Sequence, residues 1–94
     1  MNPMSKVFKQ QTIIQNRKGL HARASAQVVM LAETFQSETY ISFQDMRAPA
    51  CSIMSLLMLG AGHGSPLVIE AEGVDADLAV IALVNLVENK FGEG

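Results

Sequence analysis

The sequence predicts an α+β fold in which three helices cover one side of a four-stranded antiparallel sheet, in the order β-α-β-β-α-β-α. Two patterns predict it. In short segments apolar residues alternate with polar ones, as in strands with one buried face, and in longer segments they recur every three to four residues, as in amphipathic helices. A chain of 94 residues is long enough for one domain and too short for two. We therefore expect residues 1–94 to form a single domain.

The first half of the chain holds three predicted strands and one helix. Val7–Gln15 is rich in β-forming residues and leads into the turn signal NRKG. From Ala22 the pattern becomes helical, with an apolar stripe at positions i, i+3, i+4 and i+7. The stripe consists of Val28, Leu31, Ala32 and Phe35. Thr39–Gln44 alternates as a strand does, and a tight turn then leads into a short edge strand that tolerates Pro49.

The second half holds two more helices and the last strand. Ser52 is suited to cap a short helix over Ile53–Leu59. Pro66–Glu72 alternates and predicts a strand. Asp75 is expected to cap a long helix that extends to about Lys90, with this lysine in its last turn, where a positive charge favours the helix dipole.

Composition limits the class of protein. The net charge of −2 argues against a nucleic-acid binder that relies on a basic surface. One cysteine permits no disulfide within the chain and fits a reducing cytoplasm, and the first residues lack the apolar run of a signal peptide. Residues 48–69 carry no Asp, Glu, Lys or Arg, but prolines and glycines interrupt them, so we expect no membrane insertion.

The segment RKGLHARASA places a histidine at the predicted start of the first helix. Unpaired N–H groups and the helix dipole make such a start an anion site, and a neutral imidazole nitrogen is a nucleophile. A phosphoryl group on His21 would lie near these N–H groups, within reach of a charge-assisted hydrogen bond from Arg23. The small side chains that follow leave room for a partner protein to approach: Ala22, Ala24, Ser25 and Ala26. The segment is therefore consistent with a phosphoryl carrier, although a lone histidine is more often a surface or core residue.

Two other readings of the same residues stay open. His21, Cys51, His63 and six methionines would suit a metal-binding module, but their spacing matches no usual site, so we expect no metal and no cofactor. A protein-interaction module could use the apolar face of the short helix, but it leaves the His-Ala-Arg segment unexplained. An enzyme with turnover of its own is not expected, because the chain shows no nucleotide-binding loop.

Three segments resemble the HPr family, the histidine phosphocarrier proteins of the phosphoenolpyruvate phosphotransferase system. KGLHARASA is similar to the family's active-site signature of glycine, an aliphatic residue and His-Ala-Arg-Pro. CSIMSLLMLGAGHGSPLVIEAEG and GVDADLAVIALVNLVENKFGEG resemble its regulatory-serine helix with the last strand, and its C-terminal helix. The resemblance runs in order from about Thr12 to the end and implies the family's fold, an open-faced β-sandwich.

The resemblance implies a role for each matched residue. His21 matches the histidine that is phosphorylated on Nδ1, and Arg23 matches the arginine that assists transfer. Ser52 matches the serine that a dedicated kinase modifies in some members. Enzyme I and the enzyme IIA acceptors dock on an apolar patch of the family. The residues expected on that surface here are Leu20, Ala24, Ile53, Met54 and Leu57.

The sequence also departs from the family pattern. Ala24 stands where the family has proline, and Cys51 stands where many members have a lysine before the serine. The segments ENKFGEG and LLMLGAG are more similar to proteobacterial carriers, including the nitrogen-branch type called NPr. Sugar uptake and nitrogen-type regulation therefore both stay open. We expect a monomer whose partners are enzyme I, an enzyme IIA-type acceptor and, in some hosts, a serine kinase or phosphorylase.

Overall fold

The structure is a computed structural model that describes residues 6–93. It confirms the predicted order β-α-β-β-α-β-α and the α+β class. The elements are β1 (Lys6–Ile13), α1 (Ala22–Ala32), β2 (Glu38–Phe43), β3 (Met46–Pro49), α2 (Ile53–Met58), β4 (Pro66–Gly73) and α3 (Ala76–Glu88). A 3-10 turn over Lys90–Gly92 follows α3. Residues 1–5 and 94, which we assigned to the same domain, lie outside the described residues.

One antiparallel sheet contains all four strands, in the order β1-β4-β2-β3. Its central strand β4 shows the alternation that the sequence predicts, because Leu67, Ile69 and Ala71 are fully buried beneath the helices while Val68 between them is exposed. Strand β1 forms an edge and is exposed along most of its length. The opposite face of the sheet has no helix on it among residues 6–93, which makes the sandwich open-faced.

The core lies between the sheet and the helices. Each helix presents apolar side chains to it: Val28 from α1, Leu56 from α2 and Leu83 from α3 are fully buried and belong to one continuous cluster. Burying a leucine or valine side chain contributes about 1.5–3 kcal/mol relative to leaving it exposed. The buried stripes therefore fix how α1 sits on the sheet, and α1 begins at the histidine singled out above.

The last helix ends earlier than predicted. It stops at Glu88, so the expectation that Lys90 lies in its last turn is wrong. Lys90 and Phe91 instead have φ values of 59° and 54°, in the left-handed region that residues other than glycine rarely adopt. The Phe91 side chain is only 1% exposed, and burial of its ring offsets the cost of this backbone turn. The turn directs the following residues back toward the start of α1.

Asp75 lies at the N-cap position of α3 but does not cap the helix with its side chain, contrary to our prediction. Its carboxylate instead accepts hydrogen bonds from the backbone N–H groups of Gln36 at 2.9 Å and Ser37 at 2.8 Å, and from the Ser37 hydroxyl. These bonds fasten the segment after α1 to the start of α3. They also lower the pKa of Asp75, with the Ser37 hydroxyl contributing most and the Gln36 N–H next.

This pKa shift makes the stabilising effect of Asp75 dependent on pH. A carboxyl group whose pKa is lower in the folded state stabilises the fold above its unfolded pKa, about 3.9, and loses that effect as the pH falls through the folded value. We expect Asp75→Asn to lower the free energy of unfolding more at about pH 7 than at about pH 3. Urea denaturation at both pH values measures this difference.

Asp77→Asn is the matched control, because Asp77 lies in the first turn of the same helix and forms no side-chain hydrogen bond or ion pair within the part of the chain that the structure describes. Its effect should be smaller at neutral pH. An effect of Asp75→Asn that is the same at both pH values would contradict the assigned role.

Candidate functional site

A tight turn precedes the candidate histidine and is held by one side-chain and one backbone hydrogen bond. The Asn16 side-chain amide donates to the Gly19 carbonyl at 2.9 Å, and the Leu20 N–H donates to the Ala61 carbonyl at 2.9 Å. Gly19 has a φ of 65°, and a Cβ atom at this position would lie 2.5 Å from the Ala61 oxygen. Only glycine fits, because it adopts this φ readily and has no Cβ. The turn is thereby pressed against the loop between α2 and β4.

His21 occupies the N-cap position of α1, with an extended backbone and no capping hydrogen bond from its side chain. Its carbonyl accepts the first helical hydrogen bond, from the Ser25 N–H at 2.8 Å. Because a helix leaves the N–H groups of its first turn without intrahelical partners, those of residues 22–24 are available to an anion beside the ring. The His21 side chain is 24% exposed, so an incoming group can reach it.

A carboxylate from the far end of the described chain contacts the His21 ring. Oε2 of Glu93 lies 2.5 Å from Nε2 of His21, and the Asn16 amide donates to Oε1 of Glu93 at 3.0 Å. The Asn16 hydrogen bond is the main cause that lowers the pKa of Glu93, and the His21 contact adds to it against the opposing effect of burial. Glu93 is therefore ionised at neutral pH and accepts from Nε2 of a neutral ring, in which Nδ1 then carries the lone pair. Nδ1 has no hydrogen-bond partner among residues 6–93.

Sequence reasoning missed Glu93 and Asn16 as parts of the site. The predicted site lacked any nearby acidic residue to orient the histidine, and Glu93 is 72 positions away in sequence. Asn16 belongs to the segment NRKG, which we interpreted only as a turn, and Glu93 to the segment FGEG, which we interpreted as the end of a helix.

A groove of about 430 Å³ lies beside the histidine and is rich in cationic side chains. Its lining consists of Asn16, Arg17, Lys18, Arg23, Gln27, Phe91, Gly92 and Glu93. Arg23 is exposed, and its side chain forms no hydrogen bond or ion pair with any other residue between positions 6 and 93. Its guanidinium is therefore available to an anion that arrives at His21.

The apolar surface of α2 is only partly the one predicted. Ile53, Met54 and Leu57 are exposed as expected, and Met58 adds to them with 69% of its surface exposed. Leu20 and Ala24 do not contribute, because both are buried in the core, and their assignment to an exposed docking surface is wrong. Ala24 is in the first turn of α1 and is fully buried in the core cluster. We call Ile53, Met54, Leu57 and Met58 the α2 patch.

Ser52 caps α2, as predicted. Its hydroxyl oxygen accepts from the Ser55 N–H at 3.2 Å, and its backbone is extended. Cys51 before it is exposed. The hydroxyl thus lies at the start of α2, next in sequence to the α2 patch.

The remaining candidate residues are dispersed. His63 is exposed in the loop before β4, and no three His, Cys, Asp or Glu side chains come together among residues 6–93. Over the same residues, no helix has the length and apolar character needed to cross a membrane.

The fold and the partly exposed ring at the start of α1 define a histidine phosphocarrier domain, a class in which a donor and an acceptor must each reach one side chain. Residues 8–89 match the family model described as the PTS HPr component phosphorylation site. The chain therefore belongs to the HPr family of the phosphotransferase system, whose members carry a phosphoryl group and are not enzymes in their own right.

Similar proteins cover almost the whole chain. A phosphocarrier protein HPr from Cupriavidus necator is 43% identical over 88 residues, which span 94% of this chain and 99% of that protein. A phosphocarrier protein NPr from Shewanella violacea is 41% identical over 90 residues, covering 96% and 98%. The crystal structure of HPr-C-His from Thermoanaerobacter tengcongensis superposes with a TM-score of 0.88 at 38% identity, covering 93% and 98%.

Proposed function

We propose that Nδ1 of His21 accepts a phosphoryl group from phosphorylated enzyme I and passes it to an enzyme IIA-type acceptor. The observation that carries this proposal is the contact between Glu93 and Nε2 of His21. It occupies one ring nitrogen and leaves the other without a partner among residues 6–93, on a partly exposed ring at the start of α1.

The same Nδ1 lone pair serves when the phosphoryl group is accepted and when it is passed on. The Nδ1 lone pair forms the bond to phosphorus while the donor's bond to phosphorus breaks and its electron pair stays on the donor. The phosphoryl oxygens then lie near the N–H groups of residues 22–24 and the Arg23 guanidinium, which stabilise their charge. In the onward step the acceptor attacks phosphorus, and the electron pair of the broken bond returns to Nδ1.

The two partners would dock in turn on the same face. The α2 patch is exposed and apolar. Helix α2 packs beside α1, and His21 is the N-cap residue of α1. The cationic groove next to His21 favours an acidic partner surface. Relatives named HPr and NPr match this chain almost equally well, so we propose the acceptor only as a member of the enzyme IIA class. We propose further that residues 1–94 act as one domain, as a monomer in the cytoplasm.

Phosphorylation of His21 is tested directly by labelling. We expect His21→Ala to take up no phosphate from phosphoenolpyruvate and enzyme I, because the nucleophilic nitrogen is gone. Acid-labile label after incubation measures the uptake. His63→Ala, which removes the exposed histidine of the loop before β4, should be labelled like the parent. Label retained in the first variant and lost in the second would place the phosphate on His63 instead.

Arg23 is proposed to stabilise the charge that develops during transfer. Removing one charge-assisted hydrogen bond costs about 1.5–3 kcal/mol, which corresponds to a transfer rate roughly ten- to a hundredfold lower for Arg23→Ala. Rapid-quench kinetics measures this rate. Arg23→Lys keeps the charge and loses the planar guanidinium, so its transfer rate should lie between those of the parent and Arg23→Ala. Parent-like rates for Arg23→Ala in both directions would remove Arg23 from the mechanism.

Met54 is proposed to lie in the contact with enzyme I. Met54→Glu would place a carboxylate in an interface that must lose water, so affinity should fall while the melting temperature changes little. Met30→Glu is a matched control, because Met30 on α1 and Met54 are both 68% exposed. Isothermal titration calorimetry with enzyme I compares them. Equal loss of affinity in both variants would mean that added charge alone weakens binding.

Ser52 is proposed as a regulatory phosphorylation site. A phosphate there would gain from the helix dipole, and its charge would enter the proposed docking surface beside Ile53. We expect Ser52→Asp to slow phosphorylation of His21 at sub-saturating enzyme I, through weaker binding. Ser52→Asn caps the helix about as well without the charge and serves as the control. Equal rates for the two variants would mean that Ser52 acts only as a helix cap.

A further inference from the structure

We propose that Asn16 and Glu93 are positioning residues that select the tautomer of His21, keeping the proton on Nε2 and the lone pair on Nδ1. The inference rests on the proposed function for its purpose, but the tautomer itself can be measured without any partner protein. Three side chains meet here, Asn16 and His21 from the segment before α1 and Glu93 from the segment after α3, and each contact restricts the next.

The orientation of the Asn16 amide is fixed by its two partners. Its Nδ2 donates to the Gly19 carbonyl at 2.9 Å and to Oε1 of Glu93 at 3.0 Å. Both partners only accept, so a rotated amide would place its oxygen against two acceptor oxygens. Asn16 is 3% exposed, and its Oδ1 atom has no hydrogen-bond partner among the described residues. The Asn16 amide therefore acts as a rigid donor toward Glu93.

Glu93 transmits this restriction to the histidine. With Oε1 held by Asn16, Oε2 is left to face Nε2 of His21 at 2.5 Å. A carboxylate accepts and does not donate, so the neutral ring must carry its proton on Nε2. In serine proteases, an aspartate likewise accepts a hydrogen bond from the catalytic histidine and so holds its imidazole in one tautomer.

The Nε2–H tautomer suits both steps of transfer, the attack of Nδ1 on phosphorus and the later departure of the ring. When Nδ1 of a ring protonated on Nε2 forms its bond to phosphorus, the ring becomes cationic, and the adjacent carboxylate of Glu93 stabilises that charge. No proton has to leave. In the onward step the ring departs as neutral imidazole, whereas a ring deprotonated on Nε2 would have to depart as an anion, which is a poorer leaving group.

Glu93→Gln tests the inference sharply, because Asn16 dictates how the new amide is oriented. The amide oxygen must accept from Asn16, so the amide NH₂ faces Nε2 of His21 and donates to it. That contact moves the ring proton to Nδ1 and blocks the nucleophile. We expect ring ¹⁵N NMR of the unphosphorylated variant, at a pH where imidazole is neutral, to show the Nδ1–H tautomer, and the parent to show the Nε2–H tautomer.

Comparison with Glu93→Ala separates tautomer selection from packing. Alanine removes more atoms but imposes no tautomer, so we expect the transfer rate to fall less than about tenfold, against roughly a hundredfold for Glu93→Gln. A role in packing alone predicts the reverse order, since glutamine keeps the shape of glutamate. Glu33→Gln makes the same charge change roughly 18 Å away along α1 and should leave both the tautomer and the rate unchanged.

Each outcome decides the inference. The Nδ1–H tautomer together with a slower Glu93→Gln than Glu93→Ala supports it. Retention of the Nε2–H tautomer in Glu93→Gln, or a rate for Glu93→Ala equal to or below that of Glu93→Gln, overturns it. If the parent protein accepts no phosphate from enzyme I, the proposed function fails, while the nitrogen spectra still decide whether Asn16 and Glu93 set the tautomer.

Discussion

The close approach of Gly19 to the backbone at Ala61 is the contact on which the functional face depends. The Leu20 N–H donates to the Ala61 carbonyl, and no side chain fits at Gly19, because a Cβ atom would lie 2.5 Å from the same oxygen. This contact joins the turn before His21 to the loop that follows α2. The proposed phosphoryl acceptor and the proposed docking patch are therefore parts of one rigid unit, and a partner seated on α2 meets a histidine at a defined position.

A second anchor comes from the segment after α3. Phe91 is buried although its backbone is left-handed, so the core itself holds the chain in a conformation that an isolated peptide would avoid. Two residues later, Glu93 contacts His21. Burial of the Phe91 ring thus offsets the cost of the left-handed turn. The turn in return places the Glu93 carboxylate against the His21 ring. Core packing and site geometry are coupled at this point.

The sequence predicts what local periodicity controls. The alternation of β4 gave the correct buried face, since it follows from a repeat of two residues. The stripe of α1 was correct in part: Val28 and Ala32 are buried, Leu31 is partly buried, and Phe35 lies beyond the end of the helix. Periodicity carries no information about contacts between distant segments. Asp75 matched a helix cap, but its carboxylate bonds to Ser37 across the fold. Leu20 was matched to a surface position by resemblance, and its burial depends on how the turn packs.

The site is shallow, and this suits a protein that must both accept and release the same group. Every additional 1.4 kcal/mol of stabilisation confined to the phosphorylated state makes onward transfer about tenfold less favourable. A deep cradle of charges would therefore trap the phosphoryl group. Here Arg23 is exposed and the ring is partly open to water, so water screens their interactions with the phosphate. Glu93 acts on the ring rather than on the phosphate, and by keeping the proton on Nε2 it lets the ring attack and depart as the same neutral tautomer.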